Sequence, residues 1–219
     1  IGQMTERLSN ETEIAKILGL PRFFDQSTGH EYLNRFTKWH VKQLDRVNHQ
    51  LLVRHGSCAS QPAIIVDIDA QTHTLESRKR EKAVVGFNRK KRGKPCYQWN
   101  VAFVCGEAVA QRLAAGNTHC RSVLLELLDD VIQKLSTDLM ILRLDGGYLS
   151  GEILNTLREL GLQIIIPCRY DWILSQGVVL YEPDWEQIDE NTRLYDVGMS
   201  GVVSTCYHPF RVVLVEKKQ

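Results

Sequence analysis

The chain has 219 residues, of which 43% are hydrophobic and 24% charged, and its 27 Lys and Arg nearly balance its 26 Asp and Glu. This balance is typical of an ordinary globular protein, so it argues against disordered and membrane-spanning classes. No apolar run reaches the roughly 18 residues that a transmembrane helix needs, and we expect a cytosolic protein. The length allows one large domain or two small ones. The chain begins at Ile1 rather than methionine, and we expect that part of the natural polypeptide has been removed.

Residues 1–57 are predicted to form an N-terminal helical region. A short helix is expected before Gly19. Thr28 and Glu31 have the spacing of a capping box, and apolar residues then recur at helical spacing over 33–51. This pattern predicts one long amphipathic helix. We expect its apolar stripe to pack on the main core, and the alternative is a dedicated binding helix.

Residues 58–168 alternate between strand and helix patterns. The order is a buried strand at 63–69, a hairpin of strands at 101–105 and 108–113, a helix at 123–135, a strand at 139–145, a helix at 150–160 and a strand at 162–167. This order predicts a mixed α/β sheet flanked by helices, in which the first and fourth strands can lie side by side. Residues 169–219 contain short strand-like pieces between Gly, Pro and acidic turns, which predict a β-rich subdomain.

The first and fourth predicted strands each end in aspartate, at Asp69 and Asp145. Ligands in open α/β sheets gather beyond the carboxyl ends of parallel strands, so we expect the two carboxylates to share a site. Carboxylate oxygens suit Mg²⁺ or Mn²⁺, and a two-metal site can activate water or a 3′-hydroxyl for phosphodiester chemistry. The alternative for either aspartate alone is a turn or helix-cap acceptor. Together they favour phosphoryl transfer on nucleic acid.

Strand alternation adds a second prediction at this site. Asp67 shares a face with Asp69, and Arg143 shares a face with Asp145. If Asp69 and Asp145 stand opposite each other on neighbouring strands, Asp67 and Arg143 also stand opposite each other, two residues earlier along each strand. We therefore predict an Asp67–Arg143 ion pair that neutralises the inner carboxylate and leaves Asp69 as the metal ligand.

A basic block follows the first strand. Its members are Arg78, Lys79, Arg80, Lys82, Arg89, Lys90, Lys91, Arg92 and Lys94, with only Glu81 opposing them within the span. Clustered cations near a carboxylate site indicate binding to a phosphate backbone, and the alternative is a solvated loop. The neighbouring Phe87, Tyr97 and Trp99 could stack on unpaired bases, although aromatic residues beside a strand are more often core.

Other chemistries have little support. The sequence has no G-x-S-x-G elbow, H-E-x-x-H pair or Walker-type glycine loop. Its six cysteines form no C-x-x-C pair and are predicted to be structural thiols. His119-Cys120 could suggest a nucleophile, but helix capping and packing explain it adequately.

Four segments together carry a family resemblance. They are 67–72 (DIDAQT), 86–95 with Gly-Phe-Asn followed by Lys-Arg-Gly-Lys-Pro, 112–119 with Arg-Leu followed by Gly-Asn-Thr-His, and 142–148 (LRLDGGY). In this order and spacing the chain resembles the DDE transposases of bacterial insertion sequences, which have a ribonuclease H-like catalytic core. The helical region upstream also looks like that of the family.

The resemblance implies metal-dependent cleavage at transposon ends and strand transfer into target DNA. It implies that Asp69 and Asp145 are catalytic ligands of Mg²⁺ or Mn²⁺, and that Asn117 and His119, with the Asp67–Arg143 pair, support them. The implied partners are transposon-end and target DNA, bound by a homodimer in the bacterial cytoplasm, without a membrane.

The family has a third carboxylate, a glutamate on a helix beyond a β-rich insertion. Nothing between 168 and 219 matches its motif, so we expect the chain to end before it, with Glu190 and Glu216 as weak stand-ins. The alternative is a non-catalytic DNA-binding module, from a truncated or domesticated transposase. A structure-selective nuclease of the same fold also stays open.

Overall fold

The structure is a computed structural model that describes residues 11–57, 61–77, 79–88, 91–135, 139–169, 184–201, 203 and 205–218. The chain divides into two compact units, Ile1–Val53 and Arg54–Gln219. Within the described ranges, no helix is long and apolar enough to cross a membrane. The five cysteines that can be described are all free thiols.

The N-terminal helices are α1 (Thr12–Ile17), α2 (Gln26–Asn34) and α3 (Lys38–His55). The single long helix predicted here is wrong, because the chain leaves the helix after α2 and starts a new one at α3. Thr37 directly precedes α3. Its backbone N–H donates to Nδ1 of His40, in the first turn of α3, at 3.1 Å, so a side chain of the helix satisfies a backbone donor at the helix start. The apolar stripe is exposed rather than buried: α3 contains no buried residue, and Leu44 and Leu51 are each more than half exposed.

The second unit contains a six-stranded sheet. Its strands are β1 (Ala63–Thr74), β2 (Val84–Val85), β3 (Pro95–Val104), β4 (Glu107–Ala115), β5 (Leu139–Leu144) and β6 (Gln163–Ile165). The order is β2-β3-β1-β5-β6, with β4 also paired to β3. β1 is antiparallel to β3 and parallel to β5, and β5 is parallel to β6. The predicted mixed α/β sheet is confirmed, with the first strand beside the strand at 139–144.

Two helices accompany this sheet, α4 (Cys120–Lys134) and α5 (Gly151–Glu159). α4 packs on β3 and β4 through its apolar stripe, which includes the fully buried Leu127 and Val131. The sheet contributes alternate residues to this core, because Ile64, Val66 and Ile68 of β1 are all buried. The residues between them face the other side of the sheet.

Several strand boundaries differ from the sequence prediction, among them the start of β3, which is Pro95 rather than residue 101. β1 continues five residues past Asp69 to Thr74, because β3 keeps pairing with it after β5 has ended. The hairpin turn lies at Cys105-Gly106 rather than Gly106-Glu107. Both turn residues have positive φ, 51° and 81°, as the tight hairpin turns that match strand twist require.

The second unit also has a small antiparallel sheet of β7 (Glu186–Gln187), β8 (Thr192–Ser200) and β9 (Phe210–Lys217). Val212 and Leu214 form its core, with Trp185 packed against them. The loop before β9 packs on α5: Asn155 donates to the Thr205 carbonyl at 3.1 Å and accepts the Tyr207 N–H at 3.0 Å. Among the short strand-like pieces predicted in 169–219, the one at 202–206 is wrong for its described residues 203, 205 and 206, because the Thr205 carbonyl accepts a bond from Asn155 instead of a strand partner.

Candidate functional site

The register of the parallel pair positions the two predicted carboxylates. Asp67 pairs with Arg143 and Ile68 with Leu144, the last pair of the β1–β5 ladder. Asp69 follows Ile68 on β1, and Asp145 follows Leu144 just beyond the end of β5. The two aspartates therefore lie side by side where the ladder ends. The site therefore lies at the carboxyl end of β5 and at an interior position of β1, not at the end of both strands.

The predicted Asp67–Arg143 ion pair is present, two residues before Asp69 and Asp145 along each strand. The Arg143 guanidinium donates through Nη2 to Oδ2 of Asp67 at 2.7 Å and through Nε to Oδ1. This bidentate geometry uses both carboxylate oxygens of Asp67. The hydrogen bonds and charge of Asp67 raise the pKa of Arg143. Asp67 is therefore occupied by a cation of the protein itself.

Asp145 is held in place by the turn that follows it. Residues Gly146–Tyr148 form a single 3₁₀ turn, and Oδ1 of Asp145 accepts the Gly147 N–H at 2.7 Å. A Cβ on Gly147 would lie 2.8 Å from that oxygen and 3.6 Å from Sγ of Cys120. Glycine is therefore required for the carboxylate to approach the backbone this closely.

Tyr148 ends the turn that follows Asp145. Its side chain is fully buried, and its hydroxyl is 3.3 Å from Oδ1 of the buried Asn100 on β3. Burial raises the pKa of Tyr148, with further contributions from the charges of Cys120, Asp145 and Asp69. The charges of both aspartates thus favour the neutral, protonated form of the Tyr148 hydroxyl.

Arg121 fixes the turn from the start of α4. Its Nη2 donates to the Leu149 carbonyl at 2.7 Å and its Nε to the Gly147 carbonyl at 3.1 Å. The Arg121 N–H donates to Nδ1 of His119, which is the N-cap of α4. Burial, and then the charge of Asp145, raise the pKa of the Cys120 thiol. That shift opposes a nucleophilic role for Cys120 and agrees with capping as the role of His119.

The donor set suits a hard divalent cation. The exposed Asp69 carboxylate makes no hydrogen bond or ion pair with any residue that the structure describes, and Asp145 keeps Oδ2 free of such partners. Adjacent carboxylates without a cationic partner repel each other, and a bound cation removes that repulsion. Among the described residues, no group of three His, Cys, Asp or Glu is placed to hold a metal.

The weak stand-ins for a third carboxylate lie in the small sheet. Glu216 is on β9, where it pairs with Arg193 of β8. Glu190 is exposed in the turn between β7 and β8. Neither residue belongs to a helix, the element on which the family glutamate is expected.

Two of the motif segments pack directly on each other. A Cβ on Gly86 would lie 1.8 Å from the Gly116 carbonyl oxygen, which accepts the Phe87 N–H at 3.0 Å. The Phe87 ring meets the His119 ring edge-on, with centroids 5.7 Å apart. Asn117 is exposed in the same connection before α4. These contacts join the segment that precedes the basic loop to the segment that leads into α4.

The basic block lies at the far end of the β1–β3 ladder. Lys79, Arg80, Lys82, Lys91, Arg92 and Lys94 are exposed, while Arg78, Arg89 and Lys90 lie outside the described residues. Glu76 joins the block, 3.4 Å from Lys94 and 3.7 Å from Lys91. The hydrogen bond and charge of Lys94, then the charge of Lys91, lower the pKa of Glu76. The block is thus less cationic than its sequence indicates.

Sequence reasoning missed four residues around the site: Tyr148, Asn100, Arg121 and Glu76. A polar residue in the middle of a strand was a usable signal for Asn100. Tyr148 belongs to a motif segment, but its sequence position does not reveal that it is fully buried. Arg121 gave no signal, since it contacts residues more than 25 positions away.

A family model described as a transposase DDE domain matches residues 60–198. The match covers β1 through most of β8 and includes Asp69, Asp145, Arg121 and Tyr148. No curated protein sequence matches the chain.

Solved structures of transposases are among those that resemble the chain. The piggyBac transposase synaptic complex with hairpin DNA is 12% identical, with a TM-score of 0.40, and the match covers 71% of this chain and 33% of that one. The Mos1 transposase paired-end complex with left transposon end is 15% identical, with a TM-score of 0.38 and coverage of 81% and 61%. The Mos1 mariner paired end complex with Mn has the same identity and TM-score, with coverage of 80% and 61%. The chain therefore spans less than two thirds of each of these proteins.

Proposed function

The chain belongs to the family of transposase DDE domains, and from that premise we propose that it is the catalytic core of a DNA transposase. The reaction proposed is metal-dependent cleavage at transposon ends, followed by strand transfer into target DNA. The observation that carries the proposal is the β1–β5 register, which leaves Asp69 and Asp145 adjacent while Arg143 occupies Asp67.

Asp69 and Asp145 are the residues that would hold Mg²⁺ or Mn²⁺. The bound metal would activate the attacking water or 3′-hydroxyl and stabilise the leaving oxygen of the phosphodiester. Arg143 keeps Asp67 out of the ligand set by pairing with both of its oxygens. Arg121 and Gly147 hold Asp145 in position through the turn at 146–149.

The exposed lysines and arginines of the basic block would bind the DNA backbone. β1 carries the chain from Asp69 to Thr74, a distance of ~16 Å at about 3.3 Å per residue, before the block begins. Backbone phosphates of a DNA strand can therefore contact the block while another phosphate of that strand reaches the carboxylates. Transposon-end and target DNA are the proposed partners, a homodimer would pair the two ends, and the bacterial cytoplasm is the proposed location.

Mn²⁺ binding tests the carboxylate site without requiring turnover. We expect Asp69→Asn and Asp145→Asn each to weaken Mn²⁺ binding by at least tenfold, measured by electron paramagnetic resonance of free Mn²⁺. Asp129→Asn is the matched control, because Asp129 is exposed on α4, where it accepts a bond from Gln133. Equal Mn²⁺ affinity in all three variants would refute the proposed metal site.

A non-catalytic DNA-binding module is the second candidate. It is favoured by the number of carboxylates, since only two converge among the described residues. Duplex DNA binding that weakens with salt, at a slope of about −0.9 per phosphate neutralised, is expected for both candidates. Such DNA binding without Mn²⁺ binding at Asp69 and Asp145 would favour the second candidate over the first.

A further inference from the structure

Trp99 lies on the same face of the sheet as Asp69. It pairs with Gln71 of β1 and with Leu113 of β4. Directly opposed residues of antiparallel strands project from one face, and Gln71 shares its face with Asp69, two residues earlier. Asp69 itself pairs with Val101, so Trp99 is its diagonal neighbour across the strands, with Cα atoms roughly 7–8 Å apart.

The indole is exposed and its orientation is fixed. Trp99 is 39% exposed and the adjacent Leu113 is 55% exposed, which makes a small apolar patch on the sheet. The Trp99 N–H donates to Oε1 of Gln111 at 2.9 Å, so the polar atom of the ring already has its partner. The rest of the ring is apolar, and it supplies the exposed surface of the residue that a flat ligand could cover.

The other aromatic residues near the basic block are engaged elsewhere. The Tyr97 hydroxyl donates to the Glu81 carbonyl at 2.8 Å, and the Phe87 ring packs edge-on against His119. Trp99 and the half-buried Phe103 are the two diagonal neighbours of Asp69 on this face, and Trp99 is the exposed one, on the side of the basic block.

The position of Trp99 along the ladder indicates what covers it. Starting at Asp69, the β1–β3 ladder passes the Gln71–Trp99 pair, then the Thr74–Cys96 pair, and reaches the basic block. A DNA strand that runs along this ladder from the carboxylates to the block crosses Trp99. Bases present an apolar π-face of the kind that stacks on indole.

We propose that Trp99 is a stacking platform for an unpaired base of the DNA strand whose backbone reaches Asp69 and Asp145. This inference rests on the proposed function and adds to it a preference for strands with a splayed or unpaired nucleotide next to the reacting phosphate. Stacking on an aromatic side chain is largely independent of base identity, so the platform favours unpaired structure rather than a particular sequence.

The test uses the whole chain and a single-stranded oligonucleotide that carries one 2-aminopurine, in EDTA so that no cleavage occurs. Fluorescence anisotropy of an end label measures binding, and the quenching of 2-aminopurine measures stacking in the bound complex. We expect strong quenching with the unmodified chain and loss of most of it with Trp99→Leu, together with about tenfold weaker binding. Trp99→Phe keeps an aromatic ring and is expected to recover part of both signals.

Trp39→Leu is the matched control, because Trp39 is an exposed tryptophan, at 64% exposure, that belongs to α3 and not to a strand of the sheet. Its quenching and affinity are expected to equal those of the unmodified chain. Binding with unchanged quenching in Trp99→Leu would overturn the stacking proposal and leave the proposed function standing. The complete absence of DNA binding by the unmodified chain would overturn both.

Discussion

Replacing Arg121 by alanine should loosen the turn that carries Asp145. The guanidinium makes two hydrogen bonds to backbone carbonyls, of Gly147 and Leu149, and the Gly147 carbonyl also accepts a longer bond from Sγ of Cys120 at 3.6 Å. Hydrogen bonds that involve a charged group contribute about 1.5–3 kcal/mol each. Because Arg121 is only half-buried, we take the lower end and expect a loss of about 3 kcal/mol in the free energy of unfolding.

The same change should weaken metal binding. Groups that orient a metal ligand typically contribute 10–100-fold in affinity, and Arg121 orients Asp145 through Gly147. Urea unfolding of the full chain measures the stability loss, and titration with Mn²⁺ measures the affinity loss.

Arg112→Ala is a suitable control for this experiment. Arg112 on β4 pairs with Asp130 of α4 and is partly exposed, so its removal should cost at most about 1 kcal/mol and should not change Mn²⁺ affinity. The reasoning would be refuted if Arg121→Ala unfolded at the same urea concentration as Arg112→Ala and bound Mn²⁺ equally well.

Three further predictions concern packing and pH. Gly86→Ala should lower the free energy of unfolding of the second unit by more than about 3 kcal/mol, since its Cβ would lie 1.8 Å from the Gly116 carbonyl oxygen. Gly93→Ala is the control: its Cβ meets no atom within 4 Å, and its positive φ should cost about 1 kcal/mol. Urea unfolding compares the two variants. Tyr148 should stay protonated in the folded chain above pH 10, while it ionises in the unfolded chain. The free energy of unfolding should therefore fall as pH rises past 10, by up to about 1.4 kcal/mol per pH unit. In Tyr148→Phe, unfolding measured against pH should lack this part of the decrease. Asn155→Ala should speed proteolytic cleavage near residues 203–209 without changing Mn²⁺ affinity, and an unchanged cleavage rate would contradict the role assigned to its bonds with that loop.

The sequence predicted the Asp67–Arg143 ion pair because strand alternation and one strand pairing determine it. Strand alternation places Asp67 with Asp69 and Arg143 with Asp145 on one face. Once β1 and β5 are parallel neighbours, the Asp67–Arg143 pair follows without further information, and the structure contains that pair.

Features that depend on distant pairing could not be predicted in the same way. β1 extends to Thr74 because β3 pairs with it there, although nothing in residues 70–74 alone requires a strand. Glu76 contacts Lys94 just beyond the end of the β1–β3 ladder. Because Glu76 precedes residues 78–94 in the sequence, the charge count over that span omitted it. The break between α2 and α3 depends on a local bond of Thr37 that competes with the apolar periodicity.

Crystals of the full chain soaked in Mn²⁺ provide the most direct test of the two-carboxylate site. We predict an anomalous peak within roughly 2.5 Å of carboxylate oxygens of both Asp69 and Asp145, with Arg143 still paired to Asp67. A fully soaked crystal without a peak at these residues, or with the peak on Asp67 in place of Arg143, would contradict the site.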